Sequence, residues 1–283
     1  MKNSDFITGR VPITKEEVRA VSIMKLDLVN AKRFIDVGAG TGSVSVEAAY
    51  NYPNLEVISI ERNDDALDLI NKNVEKFNLK NVEVIKAYAP IDIEGEVDVM
   101  ARGIREDKSV VRLQTGDFSI YGSIREQVEE LFKLDIDYDC TPGVSSFLGA
   151  ASALGVEYTV PEISQSVIIT RMEGRTPVPS KESIESYAQH QTSMAIFLSV
   201  HDIEKVVERL HTGGYPMDTP IAVVYKATWA DEKIVKGTLE DIAQKVRENN
   251  IRKTALILVG RFLGKEYKNS KLYDKDFKHE YRG

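Results

Sequence analysis

Between Lys15 and Leu28 the apolar residues Val18, Val21, Met24, Leu26 and Leu28 stand among charged positions at helical spacing. Thr14, with Glu17 three residues on, has the form of a capping box at the start of that helix. A short apolar run, Arg33–Val37, ends in the glycine-rich turn Gly38–Gly42, and Ser43–Tyr50 reads as a helix of small residues. Asn54–Ile60 and Asn81–Lys86 read as buried strands. Between them Asp64–Phe77 places Ala66, Leu69, Ile70, Val74 and Phe77 on one helical face. Strand, helix, strand, helix, strand is the order of a parallel sheet wound by right-handed crossovers.

The pattern then breaks. Glu94–Asp98 is acidic, and Val99–Arg105 reads as the end of a helix. The chain restarts with a strand at Val110–Leu113, a loop over Thr115–Gly122, a helix over Ser123–Lys133 and a strand at Ile136–Cys140. The turn Thr141–Gly143 leads into a small-residue helix at Ser145–Leu154. A further domain begins near Ile163. Its expected strands are Ser166–Thr170, Met194–Val200, Ile221–Tyr225, Lys233–Gly237 and Ala255–Val259, and its helices Ile184–His190, Ile203–Gly213 and Leu239–Asn249. The fold class is therefore α/β, a Rossmann-like parallel sheet, composite and partly truncated, followed by a second α/β domain. The expected segments are 1–98, 99–162 and 163–264, with a charged, Tyr-rich tail over 265–283. Strands from 33–99 are expected to pair with 110–113 and 136–140 in one sheet, because open edges invite aggregation.

Composition narrows the chemistry. The 283 residues are 42% hydrophobic and 29% charged with a net charge of −7, and the pI is near 5.3. An acidic chain lacks the basic field that nucleic acid demands. No run approaches the roughly 20 apolar residues of a membrane helix, and the N-terminus has no apolar signal core, so a cytoplasmic location is expected. The single Cys140 excludes an internal disulfide, and it is expected to be buried packing. His190, His201, His211 and His279 are scattered, so no metal site is expected.

The turn Gly38-Ala39-Gly40-Thr41-Gly42 lies between a strand and a helix, the context a nucleotide fingerprint requires. Glycines allow a tight turn and close approach of backbone to ligand, and the helix N-terminus beyond offers free amides. Glu61, at the end of the next strand, is placed to accept from both ribose hydroxyls, which disfavours a 2′-phosphate. NAD and S-adenosylmethionine both fit such a site, as does a plain strand–helix turn. The Gly-x-Gly-x-Gly spacing and the preceding Asp36 favour adenosylmethionine, since an acid suits an ammonium and a sulfonium and repels a pyrophosphate.

Residues 5–100, above all Gly9–Arg19 and Asp36–Glu47, closely resemble the N-terminal half of the cobalt-precorrin decarboxylating methyltransferases that act at carbon 15. The resemblance implies that Thr14, Gly38, Ala39, Gly40, Thr41, Gly42, Glu61 and Ala89 line a cofactor pocket. That family continues into a further glycine-rich loop and three strands that are not found here.

From about Val99 to Gly264 the chain resembles cobalt-precorrin-4 methyltransferases of the tetrapyrrole methylase family, which methylate carbon 11. The motifs are Val111–Gly122, Thr141–Ser146, Thr170–Pro179 and Val224–Trp229. The resemblance implies cofactor contacts from Gly116, Asp117, Ile120, Ser145, Ser146, Leu198 and Ala227, and a homodimer formed through the C-terminal domain. Asp117 is the one catalytic candidate, and a structural turn role fits it equally. The family's opening strand and Gly-Pro-Gly-Asp-Pro loop are missing, and Phe118 replaces the usual Pro. A flat macrocycle ringed by carboxylates calls for guanidinium forks beside apolar surface, so Arg171, Arg175 and Lys226 are the substrate-binding candidates. Solvated surface charges are the bland reading of the arginines, and core packing that of Trp229. The combined expectation is an S-adenosylmethionine-dependent methyltransferase of cobalamin biosynthesis, joined from two families near Val97–Met100 and acting at carbon 11. Carbon 15, or a remnant that binds cofactor or tetrapyrrole without turnover, are the alternatives.

Overall fold

The structure, a computed structural model, describes residues 1–264 apart from 10, 12, 88–92, 107–109, 111, 113, 115 and 230. Contacts divide the chain into two units, 1–142 and 143–283.

In the first unit α1 (Glu16–Leu26), β1 (Arg33–Val37), α2 (Ser43–Asn51), β2 (Glu56–Glu61), α3 (Asp64–Lys76), β3 (Val82–Lys86), α4 (Ile93–Arg105) and α5 (Ile124–Lys133) follow in order. The three strands form one parallel sheet, β1-β2-β3, with Ile35 level with Ile58 and Ile60 level with Ile85. One face packs Phe34 and Val57 against Ile23, Val44 and Ala48. On the other face Ile35 and Val37 stay exposed.

Expectations fail at several points in this unit. The stretch 136–140 forms no strand, and most of it is exposed, including Cys140, against the expectation of buried packing. The composite sheet is thus limited to three strands among the described residues. The strand expected at Val110–Leu113 falls partly outside the described residues. Helix α1 starts with Lys15 as its N-cap and no side-chain cap bond, so the capping box of Thr14 does not form. Its buried face is the expected one only at the C-terminal end: Leu26 and Leu28 pack on the core, but Val18, Val21 and Met24 are exposed, while Arg19 is fully buried. A buried guanidinium is tolerated only when its donors are satisfied. Arg19 pairs with Glu47 and donates to Asn3 Oδ1 (2.7 Å), the Thr14 carbonyl (2.6 Å) and the Met1 carbonyl (2.6 Å), with its guanidinium 4.7 Å from the Phe6 ring centre.

The second unit comprises α6 (Ser146–Leu154), β4 (Val167–Arg171), α7 (Ile184–Ala188), β5 (Ser193–Phe197), α8 (Ile203–Thr212), β6 (Pro220–Tyr225), β7 (Lys233–Thr238), α9 (Ile242–Glu248) and β8 (Ala255–Val259). Its sheet runs β4-β5-β8-β6-β7, with β4 parallel to β5 and β8 antiparallel to both β5 and β6. Strands β4, β5 and β6 therefore share one direction. Alternation sorts the side chains: Met194, Ile196, Val223 and Ile257 face α7, α8 and α9, while Ala195, Val224, Leu256 and Leu258 face α6. Pro220 opens its strand, where its missing N–H costs no ladder bond. The α/β class with a parallel sheet is as expected.

Candidate functional site

Strand β1 delivers the chain into a turn in which Gly38, Gly40 and Gly42 have φ of +76°, +57° and +70°. The glycines answer different demands. A Cβ on Gly42 would stand 2.8 Å from Ile70 Cγ1, so close helix packing requires its absence, whereas a Cβ on Gly38 would meet nothing within 4 Å. The turn is pinned to β2: the N–H groups of Gly38 and Ala39 both donate to the Ile60 carbonyl (2.8 and 3.1 Å). The Gly40 N–H donates to Glu61 Oε2 at 2.9 Å. Glu61 Oε1 accepts from the N–H groups of Arg62 (2.8 Å) and Asn63 (3.0 Å). Partial burial pulls the Glu61 pKa upward, but these amides of Asn63, Gly40 and Arg62, with the Arg62 charge, hold it below the ordinary glutamate value. Asp36 lies beneath the turn, buried, and accepts from Ser45 Oγ at 2.6 Å. Burial raises its pKa, against the lowering effect of Ser45. Thr14 is tied to this unit through its carbonyl and Arg19. Ala89 lies outside the described residues.

Thr41 and Ser43 are buried where α2 begins. Around the turn the structure thus leaves open space over Gly38, fixes the Glu61 carboxylate on backbone amides and buries Asp36 against Ser45.

Gly116, Asp117 and Ile120 lie in an irregular turn of the same unit. Gly116 has φ +75°, and Asp117 caps the turn by accepting from the Ser119 N–H (2.9 Å) and from the Ser119 hydroxyl. That geometry is what a turn-forming aspartate makes.

In the second unit the expected residues converge. Thr170, Ile196, Ile257 and Val223 stand on one rung of the sheet. The chain leaves β4 at Arg171, β5 at Phe197 and β6 at Tyr225, so Arg171, Leu198 and Lys226–Ala227 all emerge at one edge, the carboxyl ends of parallel strands. Ligands of α/β sheets bind at such edges. The first turn of α6 is there too, since a Cβ on Gly149 would lie 3.8 Å from Ala227 Cβ. Buried Ser145 is the N-cap of α6, and Ser146 is its first residue.

Strain marks this edge. Leu198, Lys226, Thr228 and Thr254 hold φ of +55°, +47°, +69° and +57° without being glycine. Such conformations persist only where the surroundings impose them, and they cluster at functional sites. Leu198 is in addition 67% exposed, an apolar side chain presented to solvent.

The cations at this edge differ in what they already hold. The Arg171 guanidinium donates to the carbonyls of Met172 (3.3 Å), Thr176 (3.2 Å) and Pro177 (2.9 Å), and so closes the loop that follows β4. Arg175, at the loop tip, is exposed and has no hydrogen-bond or ion-pair partner among the described residues. Lys226 pairs with Asp231 at 2.5 Å and stands 4.9 Å from the Trp229 ring centre and 5.1 Å from that of Tyr225. The bond to Asp231 raises its pKa. Trp229 is half-buried as part of this stack and lies outside the apolar core.

Sequence reading missed two features. The Arg19–Glu47 pair was hidden because arginine on a helix reads as solvated. The anchor Arg209, in α8, holds Glu173 with both terminal nitrogens (2.5 Å for Nη1) and faces Glu185 with Nε at 3.2 Å. Its partners lie 36 and 24 positions away, which no local spacing reveals.

No helix among the described residues is long and apolar enough to cross a membrane, and no His, Cys, Asp or Glu cluster among them could hold a metal.

Residues 35–243 match the family model for tetrapyrrole (corrin/porphyrin) methylases. The chain is 50% identical over 257 residues to a cobalt-precorrin-4 C(11)-methyltransferase of Methanocaldococcus jannaschii, covering 89% of this chain and 97% of the relative. It superposes on the X-ray structure of a cobalt precorrin-4 methyltransferase at 38% identity with a TM-score of 0.63, over 82% of this chain and 96% of the other. A shorter match, 47% identical over 104 residues, is to a cobalt-precorrin-6B C(15)-methyltransferase (decarboxylating) of Salmonella typhimurium and covers 36% of this chain and 54% of that protein. A matched span covering most of the chain, and half the residues shared with a near full-length relative, establish descent: the chain belongs to the tetrapyrrole methylase family and is an S-adenosylmethionine-dependent methyltransferase.

Proposed function

We propose that this protein methylates carbon 11 of cobalt-precorrin-4 in cobalamin biosynthesis, using S-adenosylmethionine. The observation that carries this reading is the convergence of the Arg171–Arg175 loop, Leu198 and the Lys226–Ala227 turn at the carboxyl ends of β4, β5 and β6. The relative's half-identical sequence over nearly its whole length supports the same substrate. The cofactor supplies an electrophilic methyl group on a sulfonium. The protein's task is to align the nucleophilic ring carbon with it and to exclude water, which requires no acid–base dyad. Leu198, Ala227 and the start of α6 offer apolar and backbone surface for the cofactor, with Ser145 and Ser146 at the helix entry. Arg175 meets a peripheral carboxylate of the macrocycle with its free fork, Lys226 offers a second charge, and Trp229 an aromatic face. Arg171 shapes the loop that presents Arg175. The active form is a homodimer built on the second unit.

The front segment is read as the first half of a carbon-15 methyltransferase joined near Val97–Met100. The 104-residue match and the Gly38–Gly42 cradle support that origin. The family match begins at residue 35, inside this segment. A strand, a glycine-rich turn and a helix open both kinds of domain, so similarity there is compatible with either ancestry. Under this second reading Gly38–Gly42, Glu61 and Thr14 form a separate cofactor pocket.

Incubation with cobalt-precorrin-4 and S-adenosylmethionine, followed by NMR assignment of the methylated carbon, tests the proposal. Methylation at carbon 11 is expected; methylation at carbon 15, or binding without turnover, refutes it. Titration with S-adenosylhomocysteine gives the number of pockets, one for the first reading alone and two if the front cradle also binds.

A further inference from the structure

The loop after β4 is held from two sides. Arg171 closes it internally on the carbonyls of Thr176 and Pro177. At its start the Met172 N–H donates to buried Ser199 Oγ at 2.9 Å. The next residue, Glu173, is gripped by Arg209 of α8 through both carboxylate oxygens, and Lys205 stands 3.8 Å from the same carboxylate. The Nε of Arg209 faces Glu185 of α7, so one guanidinium joins the loop to two helices. The two-pronged Arg–carboxylate geometry fixes direction as well as distance. Beyond this clamp Gly174 adds no side chain within reach of anything, and Arg175 follows with no partner among the described residues.

We propose that Arg209, through Glu173, is a positioning residue for macrocycle binding: it sets the attitude of the loop so that Arg175 faces a substrate carboxylate. Arg209 touches no substrate itself. The inference rests on the proposed substrate role of Arg175, and the test separates the two.

Trp229 is the sole tryptophan and lies at the same sheet edge, so quenching of its fluorescence reports macrocycle binding directly, without turnover. Cobalt-precorrin-4 is titrated into the full-length wild type, Arg209→Gln, Arg209→Lys, Arg175→Ala and the double variant Arg175→Ala/Arg209→Gln. S-adenosylhomocysteine affinity is measured alongside by calorimetry. Arg209→Gln is expected to weaken macrocycle binding about tenfold while cofactor affinity stays within about twofold; Arg209→Lys, which keeps charge but loses the fork, falls between. In the Arg175→Ala background the Arg209→Gln change is expected to have almost no further effect, because coupled residues are not additive. A merely structural Arg209 would lower both affinities together, or act equally in both backgrounds; either result overturns the inference. Unchanged macrocycle binding in Arg175→Ala would instead remove the substrate role of Arg175, and the inference with it. If Arg209→Gln fails to fold, the same cycle is run with Arg209→Lys, and additivity there overturns the inference.

Discussion

Alanine at Gly42 and alanine at Gly38 should have separable effects, although both glycines have nearly the same positive φ. A Cβ in the left-handed region costs about 1–2 kcal/mol in either case. At Gly42 the added carbon would also press on Ile70 Cγ1 and Cγ2 at 2.8 and 3.0 Å. Ile70 is fully buried on α3 and cannot swing away, so overpacking adds about 1–3 kcal/mol. At Gly38 there is only open space. Gly42→Ala should therefore destabilise the front unit by about 2–5 kcal/mol in all, and Gly38→Ala by the conformational cost alone. Amide hydrogen exchange of β1, α2 and α3 resolves this, with β5 and β8 as reference segments. Exchange in Gly42→Ala should exceed that in Gly38→Ala by roughly five- to 150-fold, the equivalent of the overpacking energy. Cofactor binding should show the reverse order relative to stability: a methyl on Gly38 occupies the cradle, so S-adenosylhomocysteine binding at the front site should be lost from a protein that is still well folded. Equal exchange in the two variants would refute the packing argument, and full binding by Gly38→Ala would refute the cradle.

Gly40→Val should abolish front-site binding, because a β-branched residue resists positive φ, and Glu61→Ala should weaken it about tenfold or more; unchanged titrations would remove both residues from the pocket. The pKa of Asp36 is raised in the folded state, so folding takes up protons and stability falls as pH rises from the ordinary aspartate value through the raised one. Asp36→Asn should then be the more stable protein at neutral pH, with the advantage fading in acid, and a pH series of urea midpoints showing no crossover trend would contradict it. Glu61 has the opposite sign: its lowered pKa adds stability that is present above the ordinary glutamate value and lost as pH falls through the lowered one. Exchange at the Gly40 and Asn63 amides should therefore accelerate in acid relative to Glu61→Gln. Sedimentation at micromolar concentration should show a dimer, and a clean monomer would count against assembly through the second unit.

Much of this molecule is legible in the sequence because its signals are local. Period-two and period-3.6 patterns placed β1–β8 and α2, α3 and α6–α9 within a few residues. The glycine turn announced itself because only glycine tolerates three positive φ values in five positions. The motifs of the second unit likewise named the residues that emerge at one sheet edge. What local pattern could not supply was the partner of each group. The stretch 136–140 has a strand's length and alternation, but a strand exists only if a neighbour accepts its hydrogen bonds, and none among the described residues does so. Helix α1 shows Val18, Val21 and Met24 as its apolar stripe, yet buries Arg19, because Glu47, Asn3 and two carbonyls distant in sequence or off the helix satisfy that guanidinium. Arg171 and Arg175 look alike in sequence. Tertiary structure spends the first on carbonyls of its own loop and leaves the second without a partner among the described residues, and it brings in Arg209 from α8 to grip Glu173 of the same loop. Pattern sets the period of an element; only packing decides which face is buried and what each side chain meets there, and so which charge is structural and which is free to bind.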